Sequence, residues 1–349
     1  MDQSEQKHKR RVRYSGTHPK TFDEKYKELQ PEKYEETLVK VIQKGNTPAG
    51  MHRPICVNEI LDILNIKPGE IGLDATLGYG GHAQEILSKL DHKGHLYGID
   101  VDTIELPKTK ERLEKLGFDS EILTVQNLNF SQIDQILPSS KTFDFILADL
   151  GVSSMQIDNP NRGFTFKQDG PLDLRMNPSV GLTAAQRLRS MTEEEIVGML
   201  IENADEPHAI EIAHEIKQEF RKGIKIDTTK QLYKVISEAL KSIPQKDREE
   251  EIKKACQRSF QALRIDVNHE FDVLYEFLDK LPKLLSKGGR VAILSFHSGE
   301  DRLVKKSFQY FFRSGEYSSF APEFIRPSFE EQNANSRSRS AKLRWAIKA

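Results

Sequence analysis

The run Asp74-Ala75-Thr76-Leu77-Gly78-Tyr79-Gly80-Gly81-His82 constrains the fold more than any other stretch of this chain. It follows a short apolar segment (Ile71, Leu73) and opens a helical pattern through Ala83, Ile86, Leu87 and Leu90. A strand that turns through glycines into a helix is how a doubly wound α/β domain holds a nucleotide-like cofactor. Glycine lets the backbone approach the ligand, and the helix N-terminus offers unpaired N–H groups. Asp100 ends the next apolar run, His95 to Ile99, about 20 residues on, where a carboxylate can take both ribose hydroxyls.

Two cofactors fit the glycines. Gly78, Gly80 and Ala83 match the dinucleotide spacing and equally the looser loop of S-adenosylmethionine (SAM) enzymes. Asp74 leans toward SAM: a carboxylate at the strand end can face a cationic amino-acid group, whereas a pyrophosphate would be repelled.

An α/β rhythm supports this reading. Strands are expected near 71–75, 95–99, 120–125, 143–149 and 289–295, with a last one at Leu343–Ile347. Helices are expected at 81–90, 103–116 and 131–137, which argues for a parallel sheet with right-handed crossovers. The rhythm breaks after Asp149. Residues 156–258 read as a helical subdomain, with a Thr192/Glu195 capping box, Pro207 in a first turn and Asp227 as an N-cap. One long helix, Leu263 to Leu285, is expected to return to the sheet, ended by Gly288-Gly289. The core is thus expected at 51–155 and 259–349, after a charged extension over residues 1–50.

Composition excludes some classes. The net charge of −1 leaves no global field for nucleic acid, so an RNA partner needs local basic patches. Lys7–Arg13 is one such cluster, read either as a solvated tail or as a phosphate-seeking arm. Two cysteines, Cys56 and Cys256, form no metal-ligand pattern, so no metal is expected and a reduced, cytoplasmic chain is. No apolar run is long enough for a membrane span, so no membrane partner is expected.

The candidate chemistry lies at the strand ends. Asp149 ends the fourth strand, where an acid can accept hydrogen bonds from a target amine and aim its lone pair; capping the next turn is the alternative. In the loop that follows, Phe164 and Phe166 could stack a base and Arg162 and Arg175 could hold phosphates; equally, the aromatics could plug the join to the helical part. His297 is read either as a group that touches RNA or takes a proton, or as a local structural partner.

These residues carry a family resemblance. Asp74–Gly78 with Gly80-Gly81-His82, Asp149–Ser154 with Gln156 and Asp158, Arg162-Gly163-Phe164 and Gly170–Met176 occur in order. Phe260–Ile265 with Asn268 and Glu270, Ser295–Ser298 with Glu300-Asp301-Arg302, and Arg337–Arg344 follow. The chain, from His52 to about Lys348, resembles the ribosomal RNA small-subunit methyltransferase H family. The resemblance implies a Rossmann-like class I SAM-dependent methyltransferase with a helical insertion for substrate recognition. It implies methylation of the N4 amine of a decoding-centre cytosine in 16S rRNA. It puts SAM contacts on Gly80, Gly81, His82, Asp100, Phe130, Asp149 and Gln156, with Asp149 also catalytic. RNA contacts are expected at Arg162, Phe164, Arg175, Arg264, His297, Arg302, Arg337 and Arg339. The chain departs from the usual pattern at Gly299, at Tyr79 and in its basic extension. That keeps a second reading open, an RNA-binding or ribosome-assembly protein with a different or lost methylation target.

Overall fold

A seven-stranded sheet in the order β3-β2-β1-β4-β5-β7-β6 organises the computed structural model, which describes residues 54–349. The basic cluster at Lys7–Arg13 and the expected extension lie outside the described residues. Helix α1 (Val57–Leu64) leads into β1 (Ile71–Asp74), followed by α2 (Gly81–Leu90), β2 (His95–Asp100) and α3 (Leu106–Lys115). Then come β3 (Leu123–Asn127), a 3₁₀ turn (Phe130–Gln135), β4 (Phe143–Asp149) and the short α4 (Ser154–Asp158). Strands β3, β2, β1 and β4 are parallel, and the order reverses between β1 and β4. That switch point opens a crevice at the carboxyl ends of the strands, where open α/β sheets bind ligands.

Five helices follow: α5 (Ala184–Ser190), α6 (Glu193–Ala204), α7 (Ala209–Arg221), α8 (Thr229–Ala239) and α9 (Gln245–Asn268). They share an apolar core, with Leu188, Ile196, Ile212, Ile236, Cys256 and Leu263 essentially inaccessible. Helix α10 (Glu270–Leu284) then packs on the sheet through Leu274, Phe277, Leu278 and Leu281. Strand β5 (Leu285–Ser295), α11 (Ser298–Arg313), β6 (Tyr317–Phe320), the short α12 (Phe329–Ala334) and β7 (Lys342–Lys348) complete the chain. β5 is parallel to β4; β7 runs antiparallel to β5, and β6 antiparallel to β7. None of the helices among the described residues is long and apolar enough to cross a membrane.

Several local expectations need correction. The return helix is two helices, not one. His269 takes a left-handed conformation (φ 51°) between α9 and α10, while Asn268 turns its amide onto the Leu174 and Arg264 carbonyls. Apolar spacing continues across this break, so periodicity alone hides it. Residue 258 falls inside α9 rather than at a boundary. Gly288-Gly289 sits inside β5, four residues beyond the helix end at Leu284. The N-cap of α8 is Thr228, whose hydroxyl accepts the Gln231 N–H; Asp227 instead pairs with Arg189. The helix after Pro207 begins only at Ala209. The expected Thr192/Glu195 capping box is present. Strand β6 had no sequence signal: Tyr317–Phe320 is short and edge-on.

Candidate active site

The glycine loop is built for close approach. Gly78 and Gly80 adopt positive φ (49° and 78°), and a Cβ on Gly80 would stand 3.0 Å from Thr109. Asp100 fixes the loop, its Oδ2 accepting the Gly78 N–H (2.8 Å) and its Oδ1 the Asp102 N–H (2.9 Å). Burial nonetheless pushes its carboxyl above the ordinary range. Tyr79, one of the departures from the family pattern, lies under the Arg112 guanidinium, 3.3 Å from its ring centroid.

The loop borders a cleft of about 1060 Å³ at the switch point, lined also by the β4 end, the 150–157 turn and the ends of α9 and α10. All seven expected cofactor contacts line it: Gly80, Gly81, His82, Asp100, Phe130, Asp149 and Gln156. Phe130 is held edge-on by Phe277 (centroids 5.1 Å apart) and presents a ring to the cleft. Gln156 completes the capping box of α4 with Ser153 and donates to Asp102 Oδ2 (2.6 Å), so its amide is used at both ends within the protein. Asp74 does not face the cleft as expected. It is 1% exposed beneath the loop and accepts the Thr76 N–H.

Asp149 lies in the cleft wall. Its backbone N–H is held by the Thr76 hydroxyl (2.6 Å), while Oδ1 is buried and has no hydrogen-bond partner. Burial, reinforced by the Glu300 charge, pushes its carboxyl up to about 7. His82 stands behind it, Nδ1 being 3.7 Å from Asp149 Oδ2. His82 Nε2 bonds the Ile55 carbonyl (2.9 Å), which requires its proton there and leaves Nδ1 as a bare acceptor. Burial lowers the His82 pKa and so keeps the ring neutral. An orphaned carboxylate oxygen is costly unless something is meant to meet it.

The expected RNA contacts divide. Arg175, Arg264 and Arg337 line the cleft, but each is paired: with Asp173 (2.7 Å), Glu270 (2.7 Å) and Asp158 (2.8 Å) respectively. Arg302 and Arg339 are exposed away from it. Three expectations are corrected. Arg162 is 5% exposed, bonds Asp102 Oδ2 (2.7 Å) and the Met176 carbonyl, and cannot hold a phosphate without breaking a buried ion pair. Phe164 is buried in the helical core, while Phe166 packs on Tyr233 and Phe260; the aromatics plug the join. His297 caps α11 and lies against Glu300 (Nε2 to Oε1, 3.1 Å), outside the cleft lining. Burial alone would raise Glu300; the His297 and Arg264 contacts and the Phe296 N–H hold it low.

Sequence reasoning missed Asp102. One of its oxygens takes both Gln156 and Arg162, tying the loop after β2 to the loop after β4. Its only signal was a second acid two residues after Asp100. The departure at Gly299 has a steric cause: a Cβ there would sit 2.6 Å from the Phe271 ring, which fills the space.

The MraW methylase family matches residues 49–349. The chain belongs to the MraW methylase family. It is 67% identical, over the whole of both chains, to ribosomal RNA small subunit methyltransferase H 2 of Alkaliphilus metalliredigens. It is 63% identical to methyltransferase H 1 of Lachnoclostridium phytofermentans, over 98% of this chain and 93% of that one. Against methyltransferase H 1 of Agathobacter rectalis the identity is 59%, over 99% of each. For a methylase of this family the cleft fits SAM on two counts: a glycine loop held at positive φ and an unpartnered carboxylate oxygen both line it.

Proposed function

We propose that this chain is a SAM-dependent methyltransferase acting on the N4 amine of a decoding-centre cytosine in 16S rRNA, in the cytoplasm. The observation that carries the reading is the unpartnered Oδ1 of Asp149 in a cleft wall shared with the glycine loop. Bound SAM would supply an electrophilic methyl group on a sulfonium. Gly78, Gly80 and Asp100 would hold its adenosine half, with Phe130 against the base.

Asp149 then does the work on the acceptor side. Its free oxygen accepts an N–H of the target amine, which aims the nitrogen lone pair at the methyl carbon. With SAM bound, the carboxylate would stabilise the positive charge that the amine nitrogen gains on methylation. The nitrogen then loses a proton. A carboxyl that ionises near pH 7 can take it, and the bare Nδ1 of His82 favours the protonated form. The loop after β4, tied down by Asp102, Gln156 and Arg162, would form the floor for the base.

The test is methyl transfer from labelled SAM to small ribosomal subunits from cells lacking the gene, with the modified base mapped by mass spectrometry. One N4-methylated cytosine in the decoding region is expected. SAM binding without methylation of subunits or rRNA would leave the assembly-protein reading instead.

A further inference from the structure

Most of the arginines that sequence alone assigned to RNA are consumed inside the protein. Arg162, Arg175, Arg264 and Arg337 are ion-paired, and Arg344 is buried against Asp301. A row of unpaired positive charge lies on α11. Its core-facing residues are Glu300, Asp301, Val304 and Phe308. Arg302, Lys305, Lys306, Gln309 and Arg313 fall at steps of three or four residues on the opposite side, one continuous stripe. None of these four cations makes an ion pair or hydrogen bond among the described residues. No acid occurs between Arg302 and Arg313. The two acids of the helix's first turn point inward, Glu300 to the Phe296 N–H and His297, Asp301 to Arg344 and Lys342.

The neighbouring α10 exposes Asp272, Glu276 and Asp279, and none comes within ion-pair distance of the stripe. Aromatic rings flank the cations: Tyr310 is 67% exposed and Phe312 43%. Helix α11 also starts at the cleft, since Phe296 and Glu300 line it. From Arg302 to Arg313 the stripe extends about 16 Å at helical rise, enough to meet several successive phosphates.

We propose that the outward face of α11 is the RNA-phosphate surface of this protein, holding the strand that leads away from the target base. Arg302, Lys305, Lys306 and Arg313 meet phosphates, and Tyr310 offers a stacking face. This rests on the rRNA methyltransferase reading and deepens it.

The test compares the full-length protein with a Lys305→Glu, Lys306→Glu, Arg313→Glu variant and with a charge-conserving Lys305→Arg, Lys306→Arg, Arg313→Lys variant. Binding to a naked decoding-region rRNA fragment and to small subunits is measured against KCl concentration, alongside SAM affinity by calorimetry and the KM for RNA. The reversed variant should lose roughly 2 from its log–log salt slope, at roughly 0.7 per phosphate contact. Its KM for RNA should rise tenfold or more with SAM affinity unchanged, and the charge-conserving variant should behave as wild type. An unchanged slope and KM, with wild-type methylation intact, would overturn this surface and leave the methyltransferase reading standing. Absence of rRNA methylation by the wild-type protein would overturn that reading, whatever the slopes. Weaker binding to subunits with an unchanged slope on naked rRNA would overturn the RNA assignment in favour of an acidic ribosomal protein.

Discussion

Replacing Asp149 by Asn should stabilise the cofactor-free protein while lowering its activity, through loss of the negative charge and of the proton acceptor. Burial pushes this carboxyl up to about 7 from an ordinary 3.8. The folded chain therefore holds a proton, between those two pH values, that the unfolded chain has released. Stability must then fall as pH rises through that window, with the full loss reached above pH 7. At 1.36 kcal/mol per pH unit, the loss is at most about 4 kcal/mol. The side chain keeps 27% of its surface exposed, so water relieves part of the cost, and about 2 kcal/mol is the working expectation. Asn is nearly isosteric and never ionises. Urea unfolding of both proteins without SAM, at pH 5, 6, 7 and 8, measures the effect. The variant should gain on wild type steadily from pH 5 to pH 8, by about 2 kcal/mol at the upper end. Asp74, also pushed up to about 7, chiefly by burial, is raised further by the Asp149 charge, so its relief in the variant adds to the gain in the same direction. A constant offset across pH would refute the claim that Asp149 titrates in this range. Near-normal methyl transfer by the variant at saturating SAM would refute its catalytic role.

Other predictions follow from the same geometry. Arg162→Ala takes the cation from the buried Asp102 carboxylate, which keeps only the Gln156 amide and the Ile104 and Glu105 N–H groups, and should cost about 3 kcal/mol of stability; a thermal shift of only a degree or two would remove this pair from the list of major supports. Asp100→Ala should weaken SAM binding by about 1.5–3 kcal/mol in calorimetry, and an unchanged affinity would take the residue out of the ribose site. Deleting residues 1–45, with the Lys7–Arg13 cluster, should weaken rRNA binding and flatten its salt dependence without moving the methylated base; mass-spectrometric mapping of a displaced base would refute a register-free role for this arm.

Three of the core strands were legible because each is an apolar run ending in an acid, at Asp74, Asp100 and Asp149. All seven expected cofactor positions meet at one cleft because strand ends in an open sheet converge at the switch point. What the sequence hid was pairing. An arginine in a polar loop looks the same whether it will face phosphate or a buried carboxylate, and only the fold brings Asp102 to Arg162 and Glu270 to Arg264. The break at His269 was hidden for a related reason: Asn268 stabilises it through contacts to Leu174, 94 residues away in sequence. The α11 stripe, by contrast, is written in plain helical spacing, but its value appears only once the competing arginines are seen to be spent.

The placement of the helices between β4 and β5 has a consequence during synthesis. β4 is a largely buried strand at the centre of the sheet, yet its partner β5 begins only at Leu285, after residues 150–284 have been made. At about 5–20 residues per second this takes on the order of ten seconds. Throughout that interval β4, with Phe143, Phe145, Ile146 and Leu147 all apolar, is a bare edge open to any other extended chain. The five helices that emerge meanwhile make mostly local contacts and have a core of their own, so they can fold without waiting for the sheet. A mutation that slows their folding would lengthen the life of that open edge, and its damage would show as aggregation of newly made chains while the finished protein kept its stability.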